Sequence, residues 1–395
     1  MRAMLLIPKT MQAVVYRGPN DLRLETVPVP SVGPEELLVR VAVCGVCPTD
    51  IKKIQYGTVP PPRIFGHETA GTIVRTGSRV RQFKVGERVA LHHHVPCLEC
   101  HACLHHAFAQ CVQYKRTGIT AGFEPAGGGY AEYVRVMPFV LPGVVRIPAR
   151  NSFLEGAMLE PVNTVLKATK RLALLRGDTV LVAGQGPIGL MFTRLLVLQG
   201  MRVVATDLLP TRLRLAREFG ATAVHCPESR GSCVKSKVRR PEARAGGLKS
   251  KGQSPKAKVQ RAASRVMDHT LSALIQKLTR GGGLDAAVIA VPSDAVVREA
   301  QALVRGGGQV LLFSHTRRGG QTSLDLSTVC VDEKDLIGSY SADFRLQAEV
   351  ARLVFSRKLD ASQLITHQFP LAQTAAAIEL ASNPTAGSLK VIVQG

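Results

Sequence analysis

Hydrophobic positions change their spacing twice along these 395 residues. From Met11 to about Val145 they come in short bursts, Ala13–Tyr16 and Leu37–Val43 among them, separated by Pro28, Pro30, Gly33 and Pro34. β-rich bursts cut by Pro and Gly predict short strands joined by tight turns. Gly127-Gly128-Gly129 predicts a turn that feeds a further strand at Tyr133-Val134. Next, Phe153, Ala157, Val165, Leu166 and Leu172 predict a helix across Ser152–Ala173. From Thr179 on, strand-like runs (Val180–Ala183, Val203–Thr206, Ala221–His225, Ala286–Val291, Gln309–Phe313) alternate with helix-like ones (Pro187–Gln199, Arg212–Phe219, Asp268–Leu278, Ala295–Val304). Alternating strands and helices predict a parallel, doubly wound sheet. The remainder returns to a mixed texture and ends in a strand-like Ser388–Gln394. The expectation is an α/β protein: a mainly β part over 11–160, a doubly wound part over 161–314, and a return to the first part over 315–395.

Size and composition fit that division. A chain of this length can bury two cores, and 45% hydrophobic residues with 36 glycines suit an α/β protein with many turns. No apolar stretch reaches the ~20 residues of a membrane span. The net charge of +22 points first to nucleic acid or another polyanion. Twelve Lys and Arg, however, fall between Pro227 and Arg265, against only Glu228 and Glu242. That segment has few large apolar residues and many Gly, Ser and Pro, so it is expected as a disordered insertion after the third strand of the alternating part. It offers no aromatic ring to stack on a base. Nucleic acid is therefore not expected as a partner, and 227–265 is the only candidate contact. Nine cysteines is an odd number, and the apolar run Met4–Ile7 is too short for a secretory leader. The expected compartment is reducing and cytoplasmic.

Four of those cysteines stand at 97, 100, 103 and 111. Thiolates at two-residue gaps, closed by a fourth shortly after, can surround one tetrahedral zinc, and a closed four-sulfur shell is structural. Disulfides and a nucleic-acid zinc knuckle are the competing readings; the odd count opposes the first and the enzyme-like surroundings the second. His92, His93, His94, His101, His105 and His106 crowd the same stretch and are expected as solvated loop residues.

A second motif follows the buried run Val180–Ala183: Gly184-Gln185-Gly186-Pro187-Ile188-Gly189, then an apolar helix. Strand, G-x-G-x-x-G and helix together are the dinucleotide fingerprint. Gly184 serves the tight turn, Gly186 the approach of a pyrophosphate, and Gly189 close helix–strand packing. The helix N-terminus adds free N–H groups and positive dipole. Asp207 ends the next strand, where a carboxylate accepts from the ribose hydroxyls and favours NAD over NADP; Arg212, nearby, softens that preference.

The third constellation is Cys47-Pro48-Thr49-Asp50, Gly66-His67-Glu68 and Glu160-Pro161. Sulfur, imidazole and carboxylate suit a catalytic zinc, which takes three protein ligands and keeps one position open. With the quartet, the glycine motif and Asp207, these residues resemble the zinc-dependent medium-chain dehydrogenase/reductase family, which includes alcohol, sorbitol and threonine dehydrogenases. The resemblance spans Met11 to Gly395 except the basic insertion. It implies a GroES-like, mainly β catalytic domain plus a Rossmann domain, and two zinc ions with NAD. It also implies roles. Cys47 and His67 resemble zinc ligands, and Glu68 or Glu160 completes the shell. Asp50 resembles the partner that orients the histidine, and Thr49 the hydroxyl that takes the substrate proton. Glu160 stands where alcohol dehydrogenases proper have cysteine, which favours a secondary alcohol or polyol of the sorbitol kind. A threonine dehydrogenase is the alternative, supported by Asn163; a polyanion-binding protein on the same fold is the more distant one. The family implies a homodimer or homotetramer. Tyr56, Phe123, Glu124, Tyr340 and Ser341 are pocket residues by position alone, with ordinary packing the preferred reading.

Overall fold

The computed structural model describes residues 6–92, 95–117, 127–227, 270–314 and 321–395. The basic segment from residue 228 onward, His93, His94, Phe123, Glu124 and the first residues of the helix expected at Asp268 lie outside the described residues.

The first part carries β1 (Thr10–Gly18), β2 (Asp21–Pro28), β3 (Leu37–Gly45), β4 (Arg63–Ile64), β5 (Glu68–Thr76), β6 (Arg88–Leu91), β7 (Tyr133–Val136) and β8 (Val145–Arg146). The alternating part follows with β9 (Thr179–Ala183), β10 (Arg202–Thr206), β11 (Ala223–His225), β12 (Leu284–Ile289), β13 (Val304–Leu312) and β14 (Asp335–Gly338). The chain closes with β15 (Ile365–Pro370) and β16 (Lys390–Gln394). β1, β2 and β4 form a small sheet, while β3 lies inside a seven-stranded one in the order β15-β16-β3-β5-β6-β8, with β7 also on β3. The last strand thus pairs with one of the first, Val393 opposite Cys44.

All six strands of the alternating part run parallel in the order β11-β10-β9-β12-β13-β14. Strand order reverses between β9 and β12, and in doubly wound sheets ligands bind outside the carboxyl ends at such a reversal. β14 lies past the expected boundary at 314 and corrects it: its short exposed run carries no buried apolar residue to announce a strand, yet it pairs with β13 from Gln309–Asp335 to Leu312–Gly338.

The helix expected over Ser152–Ala173 is two, Phe153–Ala157 and Leu159–Thr169. Ser152 and Glu155 form a reciprocal capping box that starts the first. Pro161 explains the restart. Proline has no N–H and tolerates only a first turn, so the second helix begins just before it and carries Glu160 in that turn.

One hydrophobic core runs through both parts, joining Val43, Ala70 and Ile392 to Met158, Val162, Val182, Phe192 and Leu311. Phe192 meets Phe313 edge-on with centroids 5.0 Å apart, an arrangement worth about 0.5–1.5 kcal/mol beyond area burial. No helix among the described residues is long and apolar enough to cross a membrane.

Candidate functional site

A cavity of about 320 Å³ opens between the two parts, bounded by Cys47–Thr49, His67–Glu68 and Glu160–Pro161 on one side and Gly186–Ile188 on the other.

On the second wall Gly184 has φ +92, and a Cβ there would collide with the Val291 side chain; a Cβ on Gly189 would collide with the Gly184 carbonyl. Gly186 differs, because a Cβ would meet nothing within 4 Å. Its bareness leaves an open cradle at the N-cap of the helix Pro187–Leu198, which Pro187 starts. Helix N–H groups facing such a space suit a pyrophosphate. Asp207 clasps the turn: its Oδ2 accepts from Gln185 N at 2.7 Å and its Oδ1 from Leu209 N at 2.9 Å. Arg212 Nη1 lies 3.8 Å from the same carboxylate, and its Nη2 donates to the Ser388 carbonyl at 3.3 Å.

On the first wall Cys47 caps the helix Pro48–Tyr56, its sulfur accepting from Thr49 N at 3.4 Å. Thr49 lines the cavity from the first turn. Asp50, fully buried, turns back: its Oδ2 is 3.0 Å from His67 Nδ1 and accepts from Gly66 N at 3.2 Å. The His67 ring is thus anchored through Nδ1 and leaves Nε2 for another partner. Burial would lower His67, but the charges of Asp50 and Cys47 overcome it and hold its pKa well above the ordinary value. Glu68, also buried, pairs with the buried ammonium of Lys390, which donates to the Val46 carbonyl at 2.8 Å. Donor atoms of Cys47, His67 and Glu68 lie within 4.8 Å of one another, a spacing that can hold a metal ion. Glu160 lines the same cavity outside that triad. Burial lifts its carboxyl to about 7.

The other four cysteines also meet. Their sulfurs stand 3.5 Å (Cys100–Cys103), 3.6 Å (Cys111–Cys97) and 3.9 Å (Cys97–Cys103) apart. Four Zn–S bonds of about 2.3 Å in a tetrahedron put sulfurs about 3.8 Å apart, so the quartet is already spaced for the ion. Backbone N–H groups of Cys97 and Tyr114 donate to the Cys111 sulfur at 3.3 and 3.5 Å. The neighbouring histidines divide: His101 and His105 are exposed, their rings 4.4 Å apart, whereas His92 is fully buried, a correction to its reading as a solvated residue. It directly follows β6, and Gly143 packs close against it.

Tyr340 and Ser341 line the cavity, whereas Tyr56 is 56% exposed and outside the lining. Asn163 is absent from the lining as well. It is buried, donates to Gln347 Oε1 at 2.9 Å and accepts from Asp343 N at 2.9 Å, fixing the loop that carries Tyr340. Sequence reasoning passed over Lys52, Lys53, Tyr114 and Lys390, all cavity residues. For the two lysines the signal was available, since they stand three and four residues after Thr49 on one helix. For Lys390 none was, because its partner Glu68 lies near the opposite end of the chain.

A cleft with a glycine cradle on one wall and a sulfur–imidazole–carboxylate cluster on the other defines a class of oxidoreductases that join a dinucleotide to a metal centre. Residues 33–148 match the family model of the alcohol dehydrogenase GroES-like domain. Sorbitol dehydrogenase of Bacillus subtilis is 28% identical over 98% of both chains, and that of Bombyx mori 27% identical over 97% of this chain and 98% of the relative. A zinc-binding dehydrogenase of Sinorhizobium meliloti, solved with NADP, superposes with a TM-score of 0.77 at 26% identity, covering 98% of this chain and all of the other. These likenesses support a place for the chain in the zinc-dependent medium-chain dehydrogenase/reductase family.

Proposed function

We propose that the chain oxidises a secondary alcohol or polyol of the sorbitol kind, passing hydride to NAD at a zinc-bearing cleft. The convergence of Cys47, His67 and Glu68 opposite the Gly186 cradle carries this reading. Cys47, His67 and Glu68 would hold the catalytic ion, with Glu160 the further carboxylate in reach of the cavity, and Cys97, Cys100, Cys103 and Cys111 the structural one. Zinc at the first site supplies a Lewis acid that makes the substrate hydroxyl more acidic. NAD, with its pyrophosphate on Gly184–Gly189, supplies the hydride acceptor.

The chain's own groups do the rest. Asp50 fixes the tautomer and aim of His67. Lys390 fixes the Glu68 carboxylate. The Thr49 hydroxyl, in the cavity beside Cys47, accepts the substrate proton as it passes its own on. Apolar lining from Ile188, Met191, Phe313 and Val391 excludes water. Asp207 favours NAD by repelling a 2′-phosphate, and the adjacent Arg212 limits that preference. The threonine alternative loses its support, because Asn163 is occupied in structure. Free thiols at all eight described cysteines suit a reducing compartment such as the cytoplasm. Among the described residues β14 is an edge strand of its sheet, with Leu336 exposed on it and Leu326 and Val331 exposed on the preceding helix, a face suited to a second copy in a homodimer or homotetramer.

The test is NADH formation with sorbitol, xylitol, 2,3-butanediol, threonine and benzyl alcohol, with zinc analysis. Polyols should lead, with about two zinc ions per chain. Cys47→Ser should lose on the order of 10³-fold or more in turnover, several kcal/mol of transition-state stabilisation, while still binding NADH. Normal oxidation by that variant overturns the assignment.

A further inference from the structure

β14 ends at Gly338, and the chain then runs through Ser339, Tyr340, Ser341 and Ala342 to Asp343, the N-cap of a short 3-10 helix, Phe344–Leu346. Ser339, Tyr340 and Ser341 line the cavity. Ser341 holds φ +66, a left-handed conformation that costs energy for a residue with a side chain and that surrounding structure must enforce. The helix Leu159–Thr169 supplies that enforcement. Asn163 Oδ1 accepts from Asp343 N at 2.9 Å, Lys167 Nζ donates to the Tyr340 carbonyl at 2.7 Å, and Arg171 Nη1 donates to the Gly338 carbonyl. These side chains stand four residues apart, so they form one stripe that runs along the helix and just past its end. Glu160, in the first turn of the same helix, lines the cavity as well.

What this grip holds at the cavity is a hydroxyl. Ser339 is 9% exposed, and its Oγ meets no hydrogen-bond partner among the described residues. A buried hydroxyl left unpaired is costly unless a ligand supplies the partner. Its position in the sheet says which ligand. The glycine cradle follows β9 and Asp207 follows β10, whereas β14 stands three strands from β9 on the side away from β10. With ~4.8 Å between strands, a dinucleotide whose phosphates lie at β9 and whose adenosine ribose lies at Asp207 turns its nicotinamide end toward β12 and β13. The β14 end of the cavity is then left to the substrate.

We propose that Lys167, with Arg171, holds the segment Gly338–Asp343 so that the Ser339 hydroxyl meets a hydroxyl of the polyol beyond the one that is oxidised. This rests on the polyol dehydrogenase reading and deepens it. Ser339 becomes a specificity residue, because a hydroxyl both donates to and accepts from another hydroxyl, and a monohydric alcohol leaves it unpaired. Lys167 and Arg171 become positioning residues, which act through the loop and touch no substrate.

The test is a double-mutant cycle on the zinc-loaded full chain. It reads the ratio of kcat/KM for sorbitol to that for 2-butanol, with NADH binding followed by fluorescence titration. Ser339→Ala should lower the ratio by about fivefold, the size of one hydrogen bond to a ligand hydroxyl. Lys167→Met should lower it by a similar factor through the KM of sorbitol, and Lys167→Arg, which can donate to the same carbonyl, should restore most of it. The double variant Ser339→Ala/Lys167→Met should fall little below Ser339→Ala alone, because both changes remove the same contact. NADH dissociation constants should move less than about twofold. A ratio unmoved by Ser339→Ala overturns the proposal and leaves the polyol reading standing. So does weaker NADH binding at an unchanged ratio, because the hydroxyl then serves the cofactor. Additive losses in the double variant overturn it too, because Lys167 then acts independently of Ser339. If no alcohol is oxidised, the polyol reading fails by itself. Sorbitol binding, read as a change in the fluorescence of bound NADH, then decides: affinity that is absent, or indifferent to Ser339→Ala and Lys167→Met, removes this proposal as well.

Discussion

The two metal-spaced clusters are built in opposite ways. The quartet comes from one short stretch, Cys97 to Cys111, whose only regular structure is the short helix His101–Leu104 and a single 3-10 turn. Its sulfurs touch one another and backbone N–H groups. Its attachment to the rest includes Phe108 against Phe344 at 5.8 Å and the Arg345 guanidinium 4.5 Å over the Phe108 ring. The cleft cluster draws its donors from a helix cap, the start of a strand and a restarted helix, and two of them are braced by residues from elsewhere: His67 by Asp50, Glu68 by Lys390. The lesson is that the first site is held by its own sulfurs and neighbouring backbone, whereas side chains from distant parts of the fold brace the second.

The sharpest way to break this contrast is to remove one donor from each. Cys103→Ser should cost on the order of several kcal/mol of stability, because metal bound there would supply folding energy; it should appear as a lower Tm and as proteolysis confined to about residues 95–117. A Cys103→Ser protein with unchanged Tm would show that the fold, and not the ion, shapes the quartet.

A smaller effect is expected from Asp50→Asn, which keeps the shape and removes the charge that aims His67. Loss of such a bracing group typically weakens metal affinity by about 10–100-fold. Competition with a zinc chelator reads it directly, and the quartet's zinc should be unaffected. Equal loosening of both ions would contradict separate construction.

The smallest effect concerns the bridge between the regions. Arg345→Met removes the cation over Phe108 and should cost about 0.5–1 kcal/mol in denaturant unfolding, with kcat/KM nearly unchanged. Arg345 also pairs with Asp343 at 2.8 Å, so Asp343→Asn serves as the control that separates the ring contact from the ion pair.

Legibility in the sequence followed the same divide. The quartet, the glycine turn and the alternating strands are local patterns, and each is readable within a few tens of residues. The contacts that complete the cleft are long-range. Lys390 reads as one lysine in a terminal strand, and only the pairing of β16 with β3 brings it under Glu68. β14 escaped because an exposed edge strand needs no buried apolar run. The split of Ser152–Ala173 was visible in Pro161, but the apolar spacing on both sides continued through it. His92 was misread because a histidine run looks polar whichever member is buried.

The continuous core has a further consequence. Because Val43, Val182 and Ile392 share one apolar interior with the restarted helix, neither half owns a complete set of covering surfaces. A gene fragment encoding only the nucleotide-binding strands would display the uncovered side of that helix to water. Modular swapping of this half between relatives is therefore constrained by the seam, and successful chimaeras must exchange the terminal strand along with it.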